Sequence, residues 1–166
     1  PDVPLEAPAD LGWTKGFEAL YYFSKTPCTA EGCPMEGKPD FVTVNEHVDF
    51  SNKAEFVAQN NGKFQNNNFA AVWTGKIPIY EGGEYEFSTK SDDGSRMFVD
   101  GEKVVDNWGL HGATEVKATA KLVRGYHDIK VEFFEKGGGA SCLAKYKGAD
   151  TGDEQKWIEG WHDPSA

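Results

Sequence analysis

The chain has 166 residues, a length that fits one domain better than two. Its 27 acidic against 17 basic residues leave a net charge of −10, which argues against nucleic acid as a partner, because phosphate backbones demand clustered cations. With 39% hydrophobic and 13% aromatic residues there is material for a core, and no apolar run approaches the roughly 20 residues that span a bilayer, so neither disorder nor membrane insertion is expected.

The segment Pro1–Pro8 (PDVPLEAP) reads as an extended linker, and the tail from Trp161 to Ala166 also ends in linker-like residues. Together they suggest a piece of a longer protein. The expected division is an N-terminal extension over 1–15, one domain over 16–150 and a C-terminal extension over 151–166. Phe17–Phe23 (FEALYYF) is aromatic and strand-like, and Phe41–Val44 is a second short candidate. Asn52–Gln59 is the one helical stretch, and the Asn-rich run Asn60–Asn68 reads as loop. Phe69–Ile79 alternates, and Pro78 predicts that this strand ends at an edge. After a turn at Glu81–Glu84, Tyr85, Phe87 and Thr89 share a face.

Arg96–Val99 and Glu102–Val105 flank Asp100-Gly101, a strong hairpin signal because both turn residues tolerate positive φ. Val116 to Leu122 alternates, Arg124-Gly125 turns the chain, and Ile129, Val131 and Phe133 alternate again. Three glycines, Gly137–Gly139, break the pattern before it resumes over Ser141–Lys147. Short strands and turns at this spacing predict an all-β, antiparallel sandwich or barrel.

Three cysteines are present. Cys28 and Cys33, in a segment punctuated by Pro and Gly, either close a small disulfide loop or supply half a metal site; a disulfide would suit an extracellular setting. Cys142 lies in an alternating apolar run and reads as a buried free thiol.

Three stretches carry candidate chemistry. In Ser91-Asp92-Asp93-Gly94, two adjacent carboxylates end a strand. Neighbours in a regular strand point to opposite faces, so they share an ion only if a turn or an unusual peptide bond brings them to one side; the alternative is a solvated turn. In Glu135-Lys136-Gly137-Gly138-Gly139-Ala140 the glycines either form a flexible hairpin or turn carbonyl oxygens toward a cation. In Asp106-Asn107-Trp108-Gly109-Leu110-His111, the indole either stacks on a sugar or plugs the core. No Gly-x-Ser-x-Gly and no His-Glu-x-x-His occurs, and carboxylate pairs are common by chance at this density, so no enzyme is expected.

Taken in order, Ser88–Gly101 (STKSDDGSRMFVDG), Val104–Gly112 (VVDNWGLHG) and Leu122–Gly139 (LVRGYHDIKVEFFEKGGG) resemble the hallmark blocks of the PA-fourteen domain family, named after the anthrax protective antigen. Gly16–Phe23 and Phe69–Gly75 resemble its opening and Trp-Thr strands, so the resemblance spans Gly16 to Lys147. It implies a β-sandwich barrel of about ten strands. It further implies, from the lectin branch found in adhesins and flocculins, a calcium-dependent carbohydrate-binding module with Ca²⁺ as cofactor. Asp92 and Asp93 would be the family's cis-linked acidic pair, with backbone oxygens of Lys136, Gly137 and Gly138 completing the metal set. Asp92, Asp93, Trp108, His111, Gly138 and Gly139 would face the sugar. The partners implied are cell-surface or extracellular glycans, bound by a monomeric module of a larger protein. This second loop lacks the Asn that several fungal members present to the ion. The family also holds modules that bind no sugar, so a structural or protein-interaction role and an accessory module of a glycosidase are the alternatives.

Overall fold

The computed structural model describes residues 4–165. Period-two alternation becomes thirteen strands and one short helix, in the order β1 (Thr14–Lys15), β2 (Phe17–Phe23), β3 (Phe41–Asn45), β4 (Asp49–Phe50), α1 (Lys53–Gln59), β5 (Phe69–Ile79), β6 (Gly83–Asp92), β7 (Ser95–Val99), β8 (Glu102–Asn107), β9 (Thr114–Leu122), β10 (Gly125–Glu135), β11 (Ser141–Lys147), β12 (Lys156–Trp157) and β13 (Trp161–His162). They form two antiparallel sheets. One has eight strands, with the path β1-β13-β5-β10-β7-β8 and with β2 joining β5 to β3; the other has five, β12-β11-β6-β9 with β4 on β11.

The all-β class read from the alternation is the observed one, with three more strands than the expected ten. The surplus is in two-residue strands, too short to show a period. They also change the domain limits. Thr14 pairs with His162 and Lys15 with Trp161, while β12 pairs with β11, so residues from both expected extensions belong to the sheets. The linker reading of 1–8 lies partly outside the described residues. From residue 6 onward the segment lies against the eight-stranded sheet, with Tyr126 Oη donating to the Glu6 carbonyl and Trp13 edge-on to Tyr126 at 4.9 Å. The strand with Pro78 is central over most of its length and ends at an edge, as its proline predicts. It pairs with β10 along its whole length, but β2 reaches only to Thr74 and β13 only to Lys76 on the other side, so no strand lies beyond Pro78 there.

The core follows from parity. Phe69, Ala71 and Trp73 of β5, Val131 and Phe133 of β10, and Met97 of β7 point inward and meet Tyr85, Phe87, Cys142 and Ala144 from the facing sheet. Burying a large apolar side chain is worth roughly 1.5–3 kcal/mol. Asn52 caps α1 by accepting from the Glu55 amide at 3.1 Å, and the helix inserts Phe56 into an aromatic stack, 4.3 Å from Phe50 and 5.8 Å from Phe133. Cys142 is a buried free thiol, as its alternating context indicates, and burial pushes its pKa up.

At the β7–β8 turn, Asp100 takes a left-handed conformation and its carboxylate accepts from the His127 ring at 2.6 Å and from the Asp128 amide at 2.9 Å. Burial disfavours the charged imidazole, but the Asp100 hydrogen bond and the Val123 carbonyl outweigh it and raise the His127 pKa. Burial likewise opposes the Asp100 charge, and the His127 and Asp128 hydrogen bonds outweigh it, lowering that pKa. The imidazolium contribution is therefore complete below the ordinary His value and is lost as pH rises through the raised one. The carboxylate contribution is lost only as pH falls below the ordinary Asp range. In thermal melts from pH 5.5 to 9 the His127–Asp100 pair should contribute up to about 3 °C of the decline, read as the difference between the parent and Asp100→Asn. Asp100→Asn, which keeps the turn, should flatten that decline; an identical slope in the variant would contradict the pairing.

Candidate functional site

One end of the sandwich gathers the two acidic stretches. β6 ends at Asp92 and β7 begins at Ser95, so Asp93 and Gly94 make the connection. Beneath it runs a buried hydroxyl network: Ser91 Oγ donates to the Asp93 carbonyl at 2.8 Å, Ser91 and Ser95 hydroxyls lie 2.6 Å apart, and Ser95 donates to Thr89 at 2.8 Å. Gly94 is needed here because a Cβ would stand 2.5 Å from the Phe134 ring and 2.7 Å from the Gly109 nitrogen. Its carbonyl accepts from the Phe134 amide at 3.0 Å, which docks β10 onto the turn one residue before Glu135.

The peptide bond between Asp92 and Asp93 is cis. Carboxylate oxygens of Asp92, Asp93 and Glu135 all lie within 4.8 Å of one another. Asp93 is fixed by two backbone donors, Lys136 N–H to Oδ2 at 2.9 Å and His111 N–H to Oδ1 at 3.3 Å. Glu135 is 0% exposed, and neither of its carboxylate oxygens has a hydrogen-bond partner. Burial first, and then Asp93 and Asp92, push its pKa up to about 9. Burial and Asp93 raise that of Asp92 as well. Among the described residues, no Lys or Arg forms an ion pair with any of the three.

A buried carboxylate without a donor is far costlier than one that meets a proton or a cation. Three convergent carboxylates, one of them orphaned, therefore fit a hard dication that takes oxygen ligands. The Gly137–Gly139 loop closes over them, with Gly138 at φ +84° and the place of a Gly139 Cβ 3.6 Å from Asp92 Oδ2. A second cluster, Glu46, His47 and Glu159, is more exposed, and the Lys15 ammonium already lies 3.3 Å and 3.5 Å from its two glutamates. A groove of about 600 Å³ lined by Phe98, Ile129 and Trp161 opens elsewhere on the eight-stranded sheet and shares no residue with the carboxylates.

Several sequence-predicted residues have hydrogen-bond or packing partners of their own. The Lys136 carbonyl accepts from the Asn68 amide at 3.1 Å, and its N–H donates to Asp93. Both ring nitrogens of His111 lie 2.8 Å from carbonyl oxygens, of Gly112 and Asn107, so its backbone rather than its ring meets the site. Trp108 is a plug. Its Nε1 donates to the Glu31 carbonyl at 3.0 Å, Arg96 covers the ring at 3.9 Å from the centroid, and Phe134 leans on it at 4.7 Å. Gly137 and Gly138 are exposed. Sequence reading gave Glu135 no ligand role, although Ile129, Val131 and Phe133 already placed odd positions of that strand inward. It also passed over Asn67, whose Oδ1 lies 3.8 Å from where a Gly137 Cβ would be.

Cys28 and Cys33 are joined by a disulfide. With Tyr22, Val72, Phe134 and Trp108 the loop forms a second apolar cluster on the outside of the eight-stranded sheet. It also braces the site. Cys28 N–H donates to Asn68 Oδ1 at 3.0 Å, and the Lys136 ammonium donates to the Cys28 carbonyl at 2.7 Å. Cys28→Ser/Cys33→Ser should therefore speed amide exchange at Lys136 by about tenfold or more while Val131 in the core is unchanged; unaltered protection at Lys136 would show that the loop braces nothing.

Comparison with known proteins agrees with this architecture. The chain is 33% identical over 103 residues to the anti-sigma-I factor RsgI3 of Acetivibrio thermocellus, an alignment covering 61% of this chain and 16% of that protein. The chain therefore spans a minor part of that relative's length. In fold it is similar to a PA14 sugar-binding domain from an RTX adhesin (TM-score 0.70, 17% identity, 88% of this chain and 96% of that one). It is also similar to the PA14 domain of the antifreeze protein MpAFP (TM-score 0.72, 14% identity, 100% and 99%). A PA14 domain profile matches residues 26–156, and the chain belongs to the PA14 domain family.

Proposed function

We propose that this PA14 domain is a calcium-dependent carbohydrate-binding module of a larger secreted or cell-surface protein. The observation that carries the reading is Glu135: a buried carboxylate with no partner, aimed at a second and a third carboxylate. Asp92, Asp93 and Glu135 would hold the ion, with the exposed Gly137–Gly138 backbone supplying further oxygens. Calcium takes about 6–8 oxygen ligands, so this set leaves places for two vicinal hydroxyls of a sugar. The ion supplies the chelation. The chain supplies rigidity, since Lys136 and His111 N–H groups fix Asp93 and the serine network fixes the turn. The likeness to an adhesin's sugar-binding domain supports glycans as the partner class and an extracellular setting. Three carboxylates held by one ion would support binding rather than catalysis.

A second reading, a structural or protein-interaction module without sugar binding, draws on the anti-sigma relative. Calcium separates the two. At a calcium concentration about 100 times the dissociation constant, linkage stabilises the fold by about 2.7 kcal/mol, a rise in melting temperature of about 5–10 °C over the same protein in chelator. Asp93→Asn and Glu135→Gln should abolish that rise. Glu135→Gln should melt no lower than the parent in chelator, because it removes the cost of protonating a buried carboxyl group. Identical melting curves in calcium and chelator would remove the lectin reading. A calcium response without retention on any glycan of an array would favour the structural one.

A further inference from the structure

The outer face of the eight-stranded sheet already holds one guanidinium. Arg96 lies 3.9 Å from the centroid of the Trp108 ring and donates from Nε to Glu132 at 2.5 Å, so one cation meets an indole face and a carboxylate together. The groove of about 600 Å³ on this sheet repeats two of those three parts. Glu18 pairs with Thr74 and Trp161 with Lys76, both on the side of β5 away from β10. Phe17 and Ala19 point into the core, which turns Glu18 outward. Carboxylate and indole therefore line one flank of the groove at positions about 7 Å apart along β5. Asp163 lines it too, two residues beyond Trp161. The third part is missing. The two ammonium groups beside the groove are engaged: Lys76 lies 2.5 Å from Asp128, and Lys130 lies 3.6 Å from Glu132 and 4.6 Å from the Phe98 ring centroid. Among the described residues, no cation forms an ion pair with Glu18 or Asp163, and none covers the Trp161 ring.

We propose that this groove docks an arginine side chain of a basic partner protein, the guanidinium stacking on Trp161 and pairing with the Glu18 and Asp163 carboxylates. Charge complementarity carries the choice of partner: the carboxylates left without a cation lie beside a free indole, on a chain whose net charge of −10 draws basic molecules toward it. The flat guanidinium covers a ring and presents its N–H fork to a carboxylate in one pose, which an ammonium does less well. The groove is open along the sheet, so a partner's backbone passes outside while its side chain enters. It shares no residue with Asp92, Asp93 and Glu135, and docking there needs no calcium.

The test is an NMR titration of the full chain in chelator. The probes are the peptide acetyl-Gly-Arg-Gly-amide, its citrulline counterpart, which has the same shape and no charge, and guanidinium chloride. The arginine peptide should shift the Trp161 indole N–H and the Glu18 amide with a Kd of about 1 mM, and the citrulline peptide should bind at least about tenfold more weakly. Glu18→Gln/Asp163→Asn should weaken the arginine peptide by about tenfold while the Val131 amide keeps its position, which shows an intact core. Four results overturn the proposal: no shift at Trp161 or Glu18 up to about 10 mM peptide, equal binding of the citrulline peptide, unchanged affinity in the double variant, or shifts confined to the Asp92–Asp93 turn. Guanidinium chloride binding as tightly as the peptide overturns the protein partner, because the groove would then be taking a small cation.

Discussion

Like charges do not gather inside a protein without compensation, and at one end of this sandwich three carboxylates do. Asp92, Asp93 and Glu135 approach within 4.8 Å, with Asp93 and Glu135 buried and Asp92 half-buried. Asp93 has two backbone N–H groups to hold, but Glu135 has none. Protonation answers that frustration when nothing else is near, and it is what the raised acidity range of Glu135 expresses. A dication answers it better, because one ion satisfies all three groups at once. The rest of the structure is arranged so that the carboxylates cannot relax apart.

Three supports enforce this. Below the acidic turn, Thr89, Ser91 and Ser95 form an interior hydroxyl chain that ties β6 to β7. Beside it, Gly94 lets Phe134 and the Gly109 backbone close in, so β10 delivers Glu135 at a fixed height. Behind the second loop, the Cys28–Cys33 turn, Asn68 and Lys136 form a ring of hydrogen bonds that ends on Asp93. Trp108 locks the same turn to the sheet. The contrast with Glu46, His47 and Glu159 is instructive: there Lys15 already supplies the cation, so nothing remains for an ion to relieve.

The limits of Phe17–Phe23, Phe69–Ile79 and Ser141–Lys147 were legible to the residue, because each has several inward positions and clear turn residues at its ends. The strands at Thr14–Lys15, Lys156–Trp157 and Trp161–His162 were not, since two residues carry no period and only their partners make them strands. At the site, the adjacency of Asp92 and Asp93 was visible in the sequence. The part played by Glu135 needed the parity of β10 to be carried one step further, past the aromatic pair Phe133-Phe134. Whether Lys136 offers its carbonyl or its N–H is a matter of loop geometry that spacing does not encode. Trp108 and His111 sit in a loop whose partners are far along the chain, so composition alone left their roles open.

The most direct measurement is long-wavelength anomalous diffraction from a crystal of this chain soaked in millimolar calcium. The account predicts one strong peak about 2.3–2.6 Å from carboxylate oxygens of Asp92, Asp93 and Glu135, with the Gly137–Gly138 backbone alongside. A map with no peak there, or with density only beside Glu46, His47 and Glu159, would contradict it.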